Sequence, residues 1–178
     1  FYTMHKVFKG LLDAHQHCGN QKASDVALKF ANWIHTVISP LNGEQIQNML
    51  ACEHGGINEI LAELYGLTGD EKYLQMSRTF HHQAILDPLS RGMDILPGNH
   101  GNTQIPKLIG LARRYELTGD ETDRYTAKFF WETVVNHHSY VTGGHGNSEY
   151  FGKPDQLRNR LSEETSETCN VYNMLKLT

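Results

Sequence analysis

The sequence predicts an all-α fold, with helical hairpins strung into an α/α toroid, and three observations carry that prediction. Leu67-Thr68-Gly69-Asp70 recurs as Leu117-Thr118-Gly119-Asp120, ~50 residues later, each copy preceded by a tyrosine, Tyr65 or Tyr115. Apolar residues flank both turns at helical spacing. The segments joining one hairpin to the next are long and dense in Gly, Asn, His and Glu, as expected where loops at one rim build a site. A HEAT or armadillo solenoid has a similar period, but its connections are short, so the linkers favour the toroid.

Met4, Val7, Phe8, Leu11 and Leu12 share one face of the first expected helix, and Cys18-Gly19-Asn20 is a weaker copy of the turn. Val26, Phe30, Trp33, Ile34 and Val37 mark its outer partner, with Ser24 as a candidate N-cap. After a linker over 38–52, Ile57, Ile60, Leu61 and Leu64 form the second inner helix. Gly69 supplies a left-handed stop and Asp70 the next N-cap, ahead of Tyr73, Met76, Phe80 and Ala84. After the linker 85–101 come Ile105, Leu108, Ile109 and Ala112, then Ala127, Phe130, Trp131 and Val134. Beyond a linker over 139–167, Leu177-Thr178 begins the repeat again. Residues 1–178 are therefore expected to form one incomplete unit of about three and a half hairpins, cut within its fourth turn.

Composition narrows the function. Sixteen Lys and Arg against 20 Asp and Glu give a net charge of -4, which provides no footprint for nucleic acid or an anionic membrane surface. No apolar run is long enough to span a bilayer. Three cysteines, Cys18, Cys52 and Cys169, are too sparse for a disulfide framework. Compartment stays open between cytoplasm and periplasm or secretion. The surplus is histidine, with 11 residues, the side chain most used for metals, proton transfer and hydroxyl contacts.

If the Gly-Asp turns share one end, the starts of the inner helices share the other. Those starts carry Cys52-Glu53-His54-Gly55-Gly56, Asn99-His100-Gly101-Asn102-Thr103 and Ser166-Glu167-Thr168-Cys169-Asn170. Each has a plain reading as capping, with Glu53, Thr103 and Ser166 as caps and Pro106 in a first turn. Three on one rim point further. Glu167 and Cys169 can aim at one metal, although two ligands are half a zinc site. The stretch 140–152 holds four glycines and Glu149, a candidate general acid whose carboxyl would rise in pKa if buried among Tyr150 and Phe151. No phosphate-binding glycine spacing occurs there. Cys18 and Cys52 read as non-catalytic. His81-His82 and His137-His138 fit the carboxyl ends of outer helices.

The segments FYTMHKVFKGLLDAH, EHGGINEILAELYGLTGD, NHGNTQIPKLIGLARRYELTGD, GGHGNSEYFGKP and SETCNVYNMLKLT, in this order, closely resemble the β-L-arabinofuranosidase family of glycoside hydrolase families 127 and 146. That resemblance covers nearly the whole chain. It implies an (α/α)6 barrel that releases β-L-arabinofuranosyl units from plant glycans or glycoproteins with retention. It also implies a zinc ion held by one glutamate and three cysteines, one cysteine being the nucleophile, and a second glutamate as acid/base. The family's Glu-x-Cys falls on Glu167 and Cys169 as zinc ligands, and its acid/base segment falls on Ser148-Glu149-Tyr150. His100 is then implied as a sugar contact, with His54 and His145 as further candidates.

The other two zinc cysteines belong to a later segment of the family pattern, and no Cys-Cys pair occurs here. The 178 residues alone are accordingly expected to be inactive and, with hairpin faces left open, to self-associate. Two other readings keep part of the pattern: another toroid enzyme acting on carbohydrate, such as an unsaturated-glycoside hydrolase or a sugar epimerase, and a non-catalytic helical-repeat interaction module.

Overall fold

The computed structural model describes residues 1–178. Nine α-helices make up the fold: α1 (Tyr2–Cys18), α2 (Gln21–Ile38), α3 (Gly43–Glu53), α4 (Asn58–Thr68), α5 (Glu71–Thr79), α6 (Gln83–Ser90), α7 (Gly101–Thr118), α8 (Glu121–Thr133) and α9 (Thr168–Leu177). A π-turn, Val134–His138, continues α8. There are no named strands, only isolated bridges, so the all-α class expected from the sequence holds. Helices α1, α4, α7 and α9 form an inner row, with α2, α5 and α8 packed outside as their hairpin partners. This is the arrangement of an arc of an α/α toroid. No helix is long and apolar enough to cross a membrane.

The repeated turns are built alike. Gly69 (φ 70°) and Gly119 (φ 73°) are left-handed caps whose N–H groups donate to Tyr65 O and Tyr115 O at 2.8 and 2.7 Å. The Thr68 and Thr118 hydroxyls bond back to Leu64 O and Arg114 O, and Asp70 and Asp120 cap the next helix through Lys72 N and Thr122 N. Thr178 Oγ1 repeats the back-bond, to Met174 O at 2.9 Å, so the fourth Leu-Thr adopts the local geometry of the other two. Asn20, rather than Ser24, caps α2; it accepts from Ala23 N, and Ser24 lies inside the helix.

Two linkers contain helices that apolar spacing alone does not announce. Asn42 and Gln45 form a reciprocal capping box that starts α3 within 38–52, and Ile46 and Leu50 bury its inner face. The outer helix expected to run from Tyr73 to Ala84 instead breaks after Thr79. Gln47 holds that break, donating to His81 O and accepting from Gln83 N, both at 2.9 Å, and α6 starts there with Ala84 exposed.

α2 also presents a different face than its large residues imply. Ala23, Ala27, Ala31, Ile34 and Ile38 are buried, whereas Val26, Trp33 and Val37 are substantially exposed. Small side chains let α2 approach α1 closely, so the alanine stripe wins the interior over the bulkier one. Val7 on α1 is also exposed, because the inward face of that helix runs through His5, Phe8 and Leu12.

The interior is two apolar clusters, one around Phe8, Leu50, Ile60 and Phe80, the other around Leu86, Ile105, Phe130 and Phe151. A polar seam lies between them. Asn58 on α4 donates to Lys107 O at 3.0 Å, Ser77 Oγ donates to Asn58 O at 2.7 Å, and Arg114 makes a bidentate pair with buried Asp123. Such pairing is what allows charges inside a helical bundle.

The left-handed turn glycines have open space where a Cβ would go, so replacement meets only the backbone penalty. Gly69→Ala and Gly119→Ala are each expected to destabilise by about 1–2 kcal/mol, and asparagine at either position by less. Chemical denaturation with an unchanged slope would check this.

Candidate active site

The hairpin geometry brings the amino ends of α1, α7 and α9 and the residues before α4 to one rim, joined there by the loop 139–167. α7 is the hub. Its cap, His100, has extended backbone and no side-chain capping bond, which leaves the imidazole free to face the loop. Gly101 begins the helix where a Cβ would meet Asn170 Oδ1 at 2.7 Å; only glycine lets α7 and α9 start this close together. Gly101 N donates to Glu149 O at 2.7 Å, and Phe151 N to Asn99 O at 3.0 Å. The loop is thereby stitched to the start of α7.

Glu149 sits in a two-residue turn. Asn147 and Tyr150 exchange both backbone hydrogen bonds at 3.0 Å, and the two residues between them, Ser148 (φ 48°) and Glu149 (φ 70°), are left-handed. This is the type I′ pattern, normally filled by Asn and Gly; a glutamate there is strained, a state that persists where function or surrounding structure requires it. His100 Nε2 lies 2.7 Å from Glu149 Oε2, and Asn102 Nδ2 donates to the same oxygen at 3.2 Å. The carboxyl is not buried among aromatics as expected: its side chain is 42% exposed. Phe151 turns down into the core, and Tyr150 stands edge-on to His100 at 5.0 Å.

Asn102 also donates to Glu167 Oε2 at 2.8 Å, so one buried amide serves both carboxylates; Asn173 Nδ2, donating to Asn102 Oδ1 at 2.9 Å, fixes its orientation. Glu167 is the N-cap of α9 and accepts from Cys169 N and Asn170 N at 2.9 and 3.0 Å. Partial burial pushes its carboxyl up, but these N–H groups, Asn102 and the Cys169 thiol outweigh that and hold its pKa at about 2. The thiol, hydrogen-bonded to Glu167 and facing its charge, is in turn pushed above the ordinary range. Glu167 and Cys169 are thus adjacent and solvent-facing, and both can bind a metal. No group of three His, Cys, Asp or Glu side chains converges anywhere in the structure. A cleft of about 540 Å³ opens beside them, lined by Ser148, Glu149, Glu163, Glu164, Thr165, Ser166, Glu167 and Thr168.

Of the residues expected at the site, Glu149 and Glu167 line this cleft, with His100 against the Glu149 carboxyl and Cys169 beside Glu167. His54 is the left-handed cap of α3 and lies across the rim, half-buried, its ring 6.4 Å from Tyr2. Burial, then the charge of Lys107 and then that of His100, lower its pKa. His145 is elsewhere: only 1% exposed, it stacks on Phe151 at 5.2 Å with neither ring nitrogen hydrogen-bonded to protein. None of the three expected caps is one. Glu53 ends α3, Thr103 lies inside α7, and Ser166 precedes the true cap; Pro106 is likewise in the second turn of α7. Cys18 and Cys52 are exposed in the last turns of α1 and α3. His81 pairs with Asp87 and His138 with Asp94, whereas His82 is buried against Lys107.

Two residues not singled out from the sequence belong to the site. Asn102 lies two positions after His100, and only its burial and double donation reveal its part. Tyr2 opens α1 beside the acidic groups; burial first, then Glu149, Cys169 and Glu167, raise its phenol pKa.

Burial lowers His145 and His82 to about 4. Between pH 6.5 and 4 the folded chain then binds fewer protons than the unfolded one, so stability is lost as pH falls through that window. For buried His145 this amounts to on the order of 2–3 kcal/mol. His145→Phe is expected to be neutral or stabilising at pH 7 and to flatten the decline in melting temperature from pH 6.5 to 4; an unchanged slope would contradict it.

Comparison with known proteins agrees with this fold. The family model for the β-L-arabinofuranosidase, GH127 catalytic domain, matches residues 1–178. A non-reducing end β-L-arabinofuranosidase from Bifidobacterium longum is 27% identical, over 94% of this chain and 30% of its own length. Among solved structures, a GH127 β-L-arabinofuranosidase from Geobacillus stearothermophilus T6 superposes with a TM-score of 0.75 at 21% identity, covering 99% of this chain and 32% of that one. A GH127 β-arabinofuranosidase gives 0.74 at 22%, with 99% and 29% covered. The chain therefore spans about a third of the length of the proteins it matches, and throughout that span it belongs to the GH127 catalytic-domain family.

Proposed function

We propose that the chain is part of the catalytic domain of a retaining β-L-arabinofuranosidase, with Glu149 as acid/base, His100 and His54 against the sugar, and Glu167 with Cys169 as two of four zinc ligands. The observation that carries this reading is the clamped Glu149: an exposed carboxyl at a strained turn, its inner oxygen set by His100 and Asn102, beside a second carboxylate and a thiol. In its acid form Glu149 protonates the departing glycosidic oxygen, and the resulting carboxylate later takes a proton from water. His100 orients that carboxyl through Nε2, while its Nδ1 is buried, so any approach of the sugar is to the ring face and not to a free nitrogen. His145 braces the turn from beneath through Phe151 and touches no sugar.

The donor set suits zinc in part. Glu167 is held ionised and Cys169 lies next to it at the open start of α9, but the chain's other cysteines, Cys18 and Cys52, lie in other helices and no third donor joins the pair. We propose that the remaining ligands, the nucleophilic cysteine among them, come from segments beyond residue 178. Bound zinc would keep a thiol in its nucleophilic, deprotonated form. Other carbohydrate-active toroids use Asp or His without zinc, so the metal content of a chain extended to the relatives' length discriminates between them.

In such an extended protein, Glu149→Gln is expected to lower kcat by about 10²–10⁴-fold on an alkyl arabinofuranoside, and by less on an aryl one whose leaving group needs no proton. The 178-residue chain alone is expected to be inert. Undiminished turnover by Glu149→Gln, or activity that survives chelation, would overturn the assignment.

Apolar side chains remain open at both ends of the arc, Val26 and Trp33 on α2 and Leu175 on α9, with a groove of about 430 Å³ beside Trp131 and Leu177. Covering such surface is worth ~25 cal/mol per Å². Self-association of the 178-residue chain follows, to be read by size-exclusion chromatography; a clean monomer at high concentration would refute it.

A further inference from the structure

Lys107 is fully buried and both partners of its amine are uncharged. Nζ lies 2.6 Å from Gln104 Oε1 and 2.9 Å from His82 Nδ1. A lysine in such a place costs more than a methionine of similar shape would, so its retention needs a reason. Burial alone brings its pKa down to about 7, in keeping with the lack of a carboxylate beside it.

The bonds continue toward the site. Gln104 and Lys107 lie one turn apart on α7, on the same face. Gln104 Nε2 donates to Thr103 Oγ1 at 2.9 Å, and Thr103 Oγ1 donates to His100 O at 2.9 Å. His82, at the other end, belongs to the α5–α6 corner that Gln47 clamps. Lys107 is thus the link between a fixed corner outside α7 and the first turn of α7, where His100 and Asn102 hold Glu149. Gln104 and Thr103 are themselves buried, so water does not readily replace their bonds. Pro106 has no N–H to give to Asn102 O, which makes this first turn more dependent on side-chain bonds than an ordinary one.

We propose that Lys107 is a positioning residue for the rim: through Gln104 and Thr103 its buried amine fixes the start of α7, and with it the Glu149 turn. This rests on the reading of His100 and Asn102 as the groups that set Glu149, but not on the reaction that Glu149 performs.

Hydrogen exchange on the dilute 178-residue chain tests it without substrate. Lys107→Met, Gln104→Leu and Thr103→Val are each expected to speed exchange about ten-fold in peptides spanning 99–107 and 147–151. Residues 27–38, in the other apolar cluster, should stay at the wild-type rate. Thr103→Ser, which keeps the hydroxyl, should restore protection, and Lys107→Met with Thr103→Val should exceed neither single change. If Lys107→Met does not fold, Gln104→Leu and Thr103→Val carry the test with Lys107 in place. Wild-type exchange at 147–151 in the folded variants, additive effects, or a Thr103→Ser chain that behaves like Thr103→Val would overturn the proposal. Failure of the arabinofuranosidase reading would leave these rates unchanged.

Discussion

The arrangement depends on a left-handed glycine followed by an aspartate. A helix that ends on Gly69 or Gly119 reverses within two residues, because the glycine satisfies the last carbonyls and the aspartate immediately caps the next helix. The reversal is so short that the two helices of a hairpin must lie side by side, and repetition sends every inner helix in the same direction. Their amino ends then gather at one rim by geometry, not by attraction between the groups that collect there. This is why a site can be assembled from residues 2, 54, 100, 149 and 167, which share no local sequence context.

What gathers at the rim needs its own control, since two carboxylates side by side repel. Asn102 resolves the conflict by giving one amide hydrogen to each, and Asn173 prevents the amide from turning over. The strain in the Glu149 turn is borne by the backbone bonds to Asn99 and Gly101, by the stack of His145 on Phe151, and by the capped start of α9. Each of these reaches into a rigid helix or the core. A left-handed glutamate on a loop without such supports would relax.

Much of the fold was legible because its signals are local. The Leu-Thr-Gly-Asp turns and the inner-helix stripes at Ile57–Leu64 and Ile105–Ile109 appear in the structure where the pattern puts them. The failures have physical causes. Reading α2 by the size of its apolar residues chose Val26 and Trp33 over the alanines, because spacing counts hydrophobicity and not the closeness that small residues permit. The break after Thr79 depends on Gln47, more than thirty residues away, and no local pattern contains it. At the site, Glu149, His100, Glu167 and Cys169 were recognisable from motif context, whereas Asn102 and Lys107 matter through partners that only folding supplies. His145 shows the converse, since a histidine in a glycine-rich loop looks available until the loop folds over it.

The two carboxylates end with different freedoms, and the difference follows from where each stands on its element. Glu167 caps a helix, so two backbone N–H groups that have no other partner point at it, and Asn102 adds a third donor. A group with three donors is held as an anion and is poorly suited to passing a proton back and forth, but well suited to holding a cation. Glu149 stands on a turn whose N–H groups are used within the loop, and only its Oε2 is engaged by side chains, leaving the other oxygen without a partner on a residue that lines the cleft. That is the position from which a carboxyl can reach an arriving oxygen. The proposed division of the two glutamates between metal and proton transfer is in keeping with backbone donor supply, which the helix cap provides at residue 167 and the two-residue turn withholds at residue 149.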